Sequence, residues 1–315
     1  MRFWVDGWDP AYASAAESGP GGAEPGGTAV DPGIEVPAAA WTPMPYPADL
    51  RPPSTVLLVD GVRRSDARLW TEEPGGGSYP ALAASYAAGV VRCDLRDGRA
   101  VLEGQPRVER GLFTASPSAT DLTCAGLVYR LHRVTTEDPA ALPALAQALL
   151  TRLETTVATG ARSGVDDPSD LLVLDGPLRG RALPRAIGYV KTHQTPYLPP
   201  DLAAVVAALA PGQRCPVFRL GGSWPCYTWY LRLPGGSGAP WSGLARIECA
   251  ADLPRGQAVA LADLSVVTLP RFAASAYKDK RAPQNLIPIA GLEQRLRARL
   301  GDRTLLHRAL TLAAR

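Results

Sequence analysis

Residues 138–160 carry apolar side chains at helical spacing, and strand-like segments precede and follow them along the chain. The apolar stripe consists of Leu142, Ala146, Leu149, Leu150, Leu153 and Val157. Asp138 is suited to cap the start of this helix, and Gly160 is expected to end it. A long amphipathic helix between strands needs a sheet to pack against, so this feature predicts an α/β fold.

Apolar runs rich in valine, leucine and aromatic residues predict the strands. The predicted strands cover residues 56–59, 67–71, 86–96 and 126–134 before the helix, and 171–175, 215–221, 227–233, 244–250 and 265–270 after it. Two further helices are predicted over residues 201–211 and 289–300. Strands on both sides of a long helix predict a mixed sheet flanked by helices.

The amino-terminal part of the chain differs from the rest in composition. Residues 1–17 include a short aromatic segment that we expect to add a strand to the main sheet. Residues 18–54 are predicted to be a linker or long loop, because glycine and proline dominate their first half without a hydrophobic period. The main domain is assigned to residues 55–315. We expect neither a signal peptide nor a membrane span, which would need ~20 apolar residues.

The bulk composition excludes several classes of protein. The 315 residues have a formal net charge of +3, which is too small to identify a nucleic-acid partner. The five cysteines are scattered and form no CxxC pair, which argues against a zinc site and a disulfide framework. These features favour a protein of the reducing cytoplasm.

Two of the predicted strands lead into an aspartate that is followed by glycine. Residues 56–59 lead into Asp60, and residues 171–174 lead into Asp175. Functional groups of α/β sheets gather outside the carboxyl ends of strands. Glu154 lies at the edge of the helical stripe and precedes Asp175 by a helix end, a loop and a strand. We therefore expect these three carboxylates to meet in one cleft.

Buried carboxylates repel each other, and a divalent cation removes that repulsion. Mg²⁺ and Mn²⁺ prefer oxygen ligands, and such ions activate water and stabilise the leaving oxygen of a phosphodiester. The constellation thus predicts metal-dependent phosphodiester hydrolysis. Two plainer interpretations stay open. Aspartate followed by glycine is also ordinary turn chemistry, and a glutamate near Arg152 is often simply solvated.

Basic residues follow both aspartates. Arg63 and Arg64 come after the first, and Arg179, Lys191 and His193 come after the second. Ammonium and guanidinium groups bind polyanions by neutralising phosphates. We predict that these side chains hold a polyanion at the cleft, although charged residues also cover ordinary surfaces.

Several segments together resemble the NurA nuclease family. They are VLLVDGVRR, LLVLDGPL with GYVKTH, WYLRL, GLARIE and the closing RAPQNLIPIAGLEQRLRARLGD. The resemblance extends from residue 56 onward and includes WDPAY near the start. It implies an RNase H-like sheet with family-specific insertions, Mn²⁺- or Mg²⁺-dependent cleavage of DNA, and association with the nucleoid.

The resemblance also implies 5′ to 3′ exonuclease and single-strand endonuclease activity in the resection of DNA ends. Family members act as dimers with a hexameric HerA-type translocase. Carried over by position, Asp60 matches the first-strand metal ligand, Asp175 the later-strand ligand, and Lys191 the basic residue beyond it. Glu154 matches the helix glutamate of RNase H-like folds by its spacing.

One feature of the family is missing here. Archaeal members use a histidine near the carboxyl end, and the corresponding segment PQNLIPIAGLE has none. Asp279 is our substitute candidate for a fourth acidic position, and Arg281, Gln284 and Asn285 are expected to line the same cleft. The predicted DNA-binding set is Arg63, Arg64, Arg179, Lys191, His193, Arg281 and Asn285.

The missing histidine leaves a second function open, that of a catalytically weak or inactive DNA-binding adaptor of a HerA-type translocase. A serine or cysteine hydrolase is disfavoured, because the chain has three histidines and none accompanies a GxSxG motif. The two leading hypotheses differ in one observable, which is DNA cleavage that depends on Asp60.

Overall fold

The computed structural model describes residues 28–163, 169–181, 183–192, 196–236 and 239–314. The strands in chain order are β1 (Val30–Asp31), β2 (Thr55–Glu72), β3 (Ser78–Asp94), β4 (Arg99–Leu102), β5 (Arg107–Thr114), β6 (Leu122–Cys124), β7 (Leu127–Arg133), β8 (Leu171–Asp175), β9 (Ala186–Val190), β10 (Phe218–Leu220), β11 (Cys226–Arg232) and β12 (Leu244–Ala250). The helices are α1 (Ala141–Ser163), α2 (Pro200–Ala207), α3 (Arg255–Thr268), α4 (Ile287–Arg299) and α5 (Arg303–Ala313). The strand predicted within residues 1–17 lies outside the described residues.

The chain divides into two compact units. Among the described residues, the first comprises 28–58, Arg92–Ala100 and 169–290, and the second comprises Val59–Val91, 101–163 and 291–314. Strand β2 contributes residues to both units. Both units combine strands and helices, so the fold is mixed α/β, as the sequence predicted.

In the first unit the strands follow the order β1-β10-β11-β12-β9-β8, and β2 comes next. The pairs from β1 to β9 are antiparallel, whereas β8 and β9 are parallel. Helix α3 packs on β11 and β12, where Trp229 Nε1 donates to Ser265 Oγ at 3.0 Å. This is a mixed sheet with a helix against it.

The predicted strand over residues 265–270 is wrong, because most of this segment is the last turn of α3. Leu261, Ala262 and Ser265 recur at helical spacing and are all buried. Burial of this stripe outweighs the weak strand preference of Val266 and Val267.

Residues 28–54, the described part of the predicted linker or loop, are attached to the first unit. Strand β1 pairs with β10, and Trp41 is buried. The buried guanidinium of Arg214 bonds both carboxylate oxygens of Glu35 at 2.7 Å and reaches Asp263 at 2.7 Å. A buried charge is tolerated when it is paired in this way, so the segment is held by a specific contact.

In the second unit the order is β2-β3-β5-β7-β6, and β4 also pairs with β3. The predicted stripe of α1 packs against β3 and β5, which confirms that interpretation of the pattern. The core of this contact contains Leu82, Tyr86, Phe113, Leu142, Ala146, Leu150 and Leu153. The expected helix end at Gly160 is wrong, since α1 continues to Ser163 and buries Ala161 on the way.

Strand β2 continues through Asp60 and Gly61 without a turn. The prediction of two separate strands at residues 56–59 and 67–71 is therefore wrong. Val62, Asp66 and Ala67 are buried beyond the expected turn, so core contacts keep the chain extended there. The buried carboxylate of Asp66 accepts hydrogen bonds from Ser85, Tyr129 and Arg64.

All five cysteines are buried with free thiols, which agrees with the prediction of no disulfide framework. Within the described residues, the helices are too short or too polar to cross a membrane.

Candidate active site

Strands β8 and β9 bring Asp175 and Lys191 together in the first unit. Asp175 is the last residue of β8, as predicted, and it lies opposite Tyr189 in the parallel ladder. Lys191 follows Tyr189 by two residues and therefore projects from the same face. Its Nζ donates to Asp175 Oδ2 at 2.7 Å, with both side chains largely buried.

The segment before α4 completes this group. Tyr189 OH donates to the carbonyl of Gln284 at 2.6 Å, which fixes the segment against β9. Lys191 Nζ also donates to Asn285 Oδ1 at 2.8 Å, and Asn285 Nδ2 donates to Asp279 Oδ2 at 2.5 Å. The result is a continuous chain of hydrogen bonds from Asp175 through Lys191 and Asn285 to Asp279. The structure thus brings together four residues that the sequence singled out.

The amide of Asn285 links a positive group to a negative group in this chain of hydrogen bonds. Its oxygen faces the ammonium of Lys191, and its nitrogen faces the carboxylate of Asp279. Burial, and then the negative charge of Asp175, raise the pKa of Tyr189 well above its ordinary value. Its phenol therefore keeps its proton at neutral pH and remains a donor to Gln284.

The turn after Asp175 is held by groups that sequence reasoning missed. The backbone N–H of Leu178 donates to Glu248 Oε1 at 2.5 Å, and Arg246 pairs with Glu248 at 2.7 Å. A Cβ at Gly188 would lie 2.9 Å from the carbonyl oxygen of Gly176, so glycine permits this close approach. The sequence did contain a signal for these groups, because Arg246 and Glu248 are charged residues within the otherwise apolar strand LARIECA.

Two further acidic residues from the predicted site, Asp60 and Glu154, lie in the second unit. Asp60 and Glu154 are 7% and 8% exposed, so the interpretation of Glu154 as solvated is wrong. Asp60 Oδ1 accepts from the N–H of Gly61 at 2.7 Å, and a Cβ at Gly61 would lie 2.5 Å from Glu154 Oε1. Glu154 therefore occupies the space that a side chain at residue 61 would need, and this glycine makes room for it instead of forming a turn.

The predicted DNA-binding residues have different environments. Arg63 Nη1 donates to a carbonyl at the start of α1 at 2.6 Å. Arg64 is bonded to Asp66 and to carbonyls at the end of α4, which gives it a structural role. Arg179 is exposed, and Arg281 lies 3.9 Å from the carboxylate of Asp279. His193 lies outside the described residues.

The chemistry of the two acidic side chains is compatible with a divalent ion. Carboxylates such as those of Asp60 and Glu154 supply the hard oxygen ligands that Mg²⁺ and Mn²⁺ prefer. Across the described residues, no group of three or more histidine, cysteine, aspartate or glutamate side chains is arranged to hold a metal. In the first unit, Asp175, Lys191, Asn285 and Asp279 form one hydrogen-bonded group. Asp60 and Glu154 belong to the second unit.

The mixed α/β fold and the hydrogen-bonded group around Lys191 and Asp175 define a candidate active site. Residues 94–295 match the family model of the NurA domain, which is more than half of the chain. The chain belongs to the NurA family, and membership implies a nuclease-type function. No curated protein matches the chain significantly. Glu154, Asp175, Lys191 and Asp279 lie within the matched range, whereas Asp60 precedes it.

Proposed function

We propose that the protein is a metal-dependent deoxyribonuclease with an RNase H-like fold. It acts as a 5′ to 3′ exonuclease and single-strand endonuclease in the processing of DNA double-strand breaks. Its proposed partners are a second copy of the chain and a HerA-type hexameric translocase, in the cytoplasm at the nucleoid. The observation that carries the proposal is the chain of hydrogen bonds from Asp175 through Lys191 and Asn285 to Asp279.

Mn²⁺ or Mg²⁺ is the proposed cofactor. Asp60 and Glu154 suit such an ion because both are buried carboxylates. Asp175 is the third proposed ligand, because the sequence pattern predicts it. When bound, a divalent ion supplies an activated water and offsets the charge of the phosphodiester.

Lys191 is the proposed phosphate-binding group. Within the described part of the chain, its ammonium gives one hydrogen bond to Asp175 and one to Asn285. An ammonium has three donors, so one more is available for a phosphate oxygen. Asn285 holds the ammonium in place, and Asp279 holds the amide of Asn285. In this scheme Asn285 and Asp279 are positioning residues.

The test is degradation of labelled single-stranded DNA by the full chain with Mn²⁺. Asp175→Asn keeps the shape of the side chain and an acceptor for Lys191 but removes the charge. We expect this variant and Asp60→Asn each to lower the rate by on the order of a hundredfold or more, the scale for loss of a catalytic group. Asp97→Ala removes an exposed carboxylate in a turn and serves as the matched control.

Each outcome bears on the proposal. Equal degradation by wild type and both variants would show that these carboxylates are not catalytic. If the wild type binds DNA but does not cleave it with Mn²⁺ or Mg²⁺, the adaptor function is favoured. That function also predicts that Asp60→Ala still binds the translocase.

A further inference from the structure

Trp224 lies exposed beside the loop that follows Asp175. This tryptophan precedes β11 and is 58% exposed. A Cβ at Gly180 would lie 2.6 Å from Cε3 of the Trp224 ring, so the ring rests directly on Gly180. Gly180 also has φ of 75°, a conformation that favours glycine. The ring is therefore seated on the loop while most of its surface stays open.

Three arginines line the same surface cavity as this ring. Arg179 and Arg219 are both exposed, and they line the same surface cavity of about 420 Å³ as Trp224. Arg181 lines it too, but its guanidinium donates to carbonyls of the loop itself. An exposed tryptophan alone needs no explanation, whereas an exposed ring that shares a cavity with two exposed arginines is a combination suited to nucleotides.

The charge of the cavity is positive. Its three arginines face two carboxylates, those of Glu248 and Asp252. Glu248 is neutralised by its buried ion pair with Arg246 at 2.7 Å. An anionic ligand is therefore attracted to this surface, and the phosphates of a nucleic acid are such a ligand.

The loop connects this surface with the candidate active site. Arg179 follows Asp175 by four residues, so their Cα atoms are at most about 14 Å apart. The hydrogen bond from Leu178 N–H to the buried Glu248 fixes the loop between them. Arg179, at the edge of the cavity, is thus separated from Asp175 by a distance that a few nucleotides can span.

We propose that Trp224, with Arg179 and Arg219, forms a subsite that binds single-stranded DNA by stacking a base on the indole ring. This inference rests on the proposed nuclease function. The guanidinium groups of Arg179 and Arg219 bind the flanking phosphates. In a duplex both faces of each base are already stacked, so the subsite selects unpaired strands.

The test measures the binding of fluorescein-labelled oligothymidylate of about 12 nucleotides, a length matched to known single-strand sites. Fluorescence anisotropy is recorded with the full chain and EDTA, so that no cleavage occurs. Trp224→Ala is expected to weaken binding about tenfold, the typical effect of one lost stacking contact. Trp224→Phe should recover most of the affinity, because it keeps an aromatic face.

Two controls make the result specific. Trp70→Ala removes a tryptophan that is 73% exposed on β2 and should leave binding unchanged. Binding of a duplex of the same length should change little in Trp224→Ala. Equal oligothymidylate affinity in wild type and Trp224→Ala would overturn the subsite, as would an equal loss in Trp70→Ala or for the duplex.

Hydrolysis of bis(4-nitrophenyl) phosphate with Mn²⁺ separates this inference from the proposed function. That small diester has no strand to stack, so Trp224→Ala should cleave it at the wild-type rate. Cleavage that needs Asp175, together with unchanged oligothymidylate binding in Trp224→Ala, would remove the subsite and leave the nuclease. Absence of any cleavage by wild type, together with weaker binding by Trp224→Ala, would remove the nuclease and leave the subsite.

Discussion

Replacement of Gly61 by alanine tests whether Glu154 can pack against β2 only because residue 61 has no side chain. The added methyl group would lie 2.5 Å from Glu154 Oε1 and 2.7 Å from Leu150 Cδ1. Ordinary van der Waals contact begins near 3.4 Å, so the nearer atom must retreat by about 0.9 Å. Both neighbours are buried on α1, where the core leaves little room for such a shift.

The expected cost follows from these contacts. Insertion of a methyl group into a packed site costs about 1–3 kcal/mol. Alanine offsets part of this cost. Within a strand it is more stable than glycine by roughly 0.5–1 kcal/mol, because the unfolded chain with alanine has less conformational freedom to lose. The mid-range values leave a net cost, so we expect Gly61→Ala to lower the free energy of unfolding by about 1 kcal/mol in urea titrations. The displaced Glu154 should also reduce DNA cleavage.

Gly160→Ala is the matched control, because Gly160 is exposed on α1 with open space around its Cα. It should stabilise the protein by about 0.5–1 kcal/mol through helix propensity. A double-mutant cycle with Glu154→Ala isolates the clash, and Gly61→Ala should cost less in that background. The reasoning fails if Gly61→Ala is as stable as wild type, or if its cost is the same with and without Glu154.

Two further predictions concern the titration of buried groups. Folded Tyr189 holds its proton more tightly than the unfolded chain does, so stability should fall as the pH rises above the ordinary tyrosine pKa of 10. Urea unfolding across this range should show a shallower loss in Tyr189→Phe, and identical slopes would contradict the assignment. Burial raises the pKa of Cys93, Cys215 and Cys226 to about 12, so these thiols should remain protonated at neutral pH. Ellman's reagent should label the native protein very slowly and all five cysteines in urea, and fast native labelling would show that the thiols are accessible.

Local sequence signals were sufficient where one segment decides its own structure. The short apolar run ending in Asp175 predicted β8 and the position of its last residue. The helical stripe predicted α1 and the face that it buries, because a period of 3.6 residues places those side chains on one side. The family motifs then indicated a nuclease, which the match over residues 94–295 supports.

Contacts between distant segments decided the rest. The sequence could not distinguish an Asp-Gly turn from a strand interior at residue 61, since the answer depends on where Glu154 packs. It also could not show that Asn285 joins Lys191 to Asp279, or that Trp224 rests on Gly180. Hydrophobic periodicity reports which face of an element is buried, whereas polar contacts between remote residues form only when tertiary packing brings their elements together.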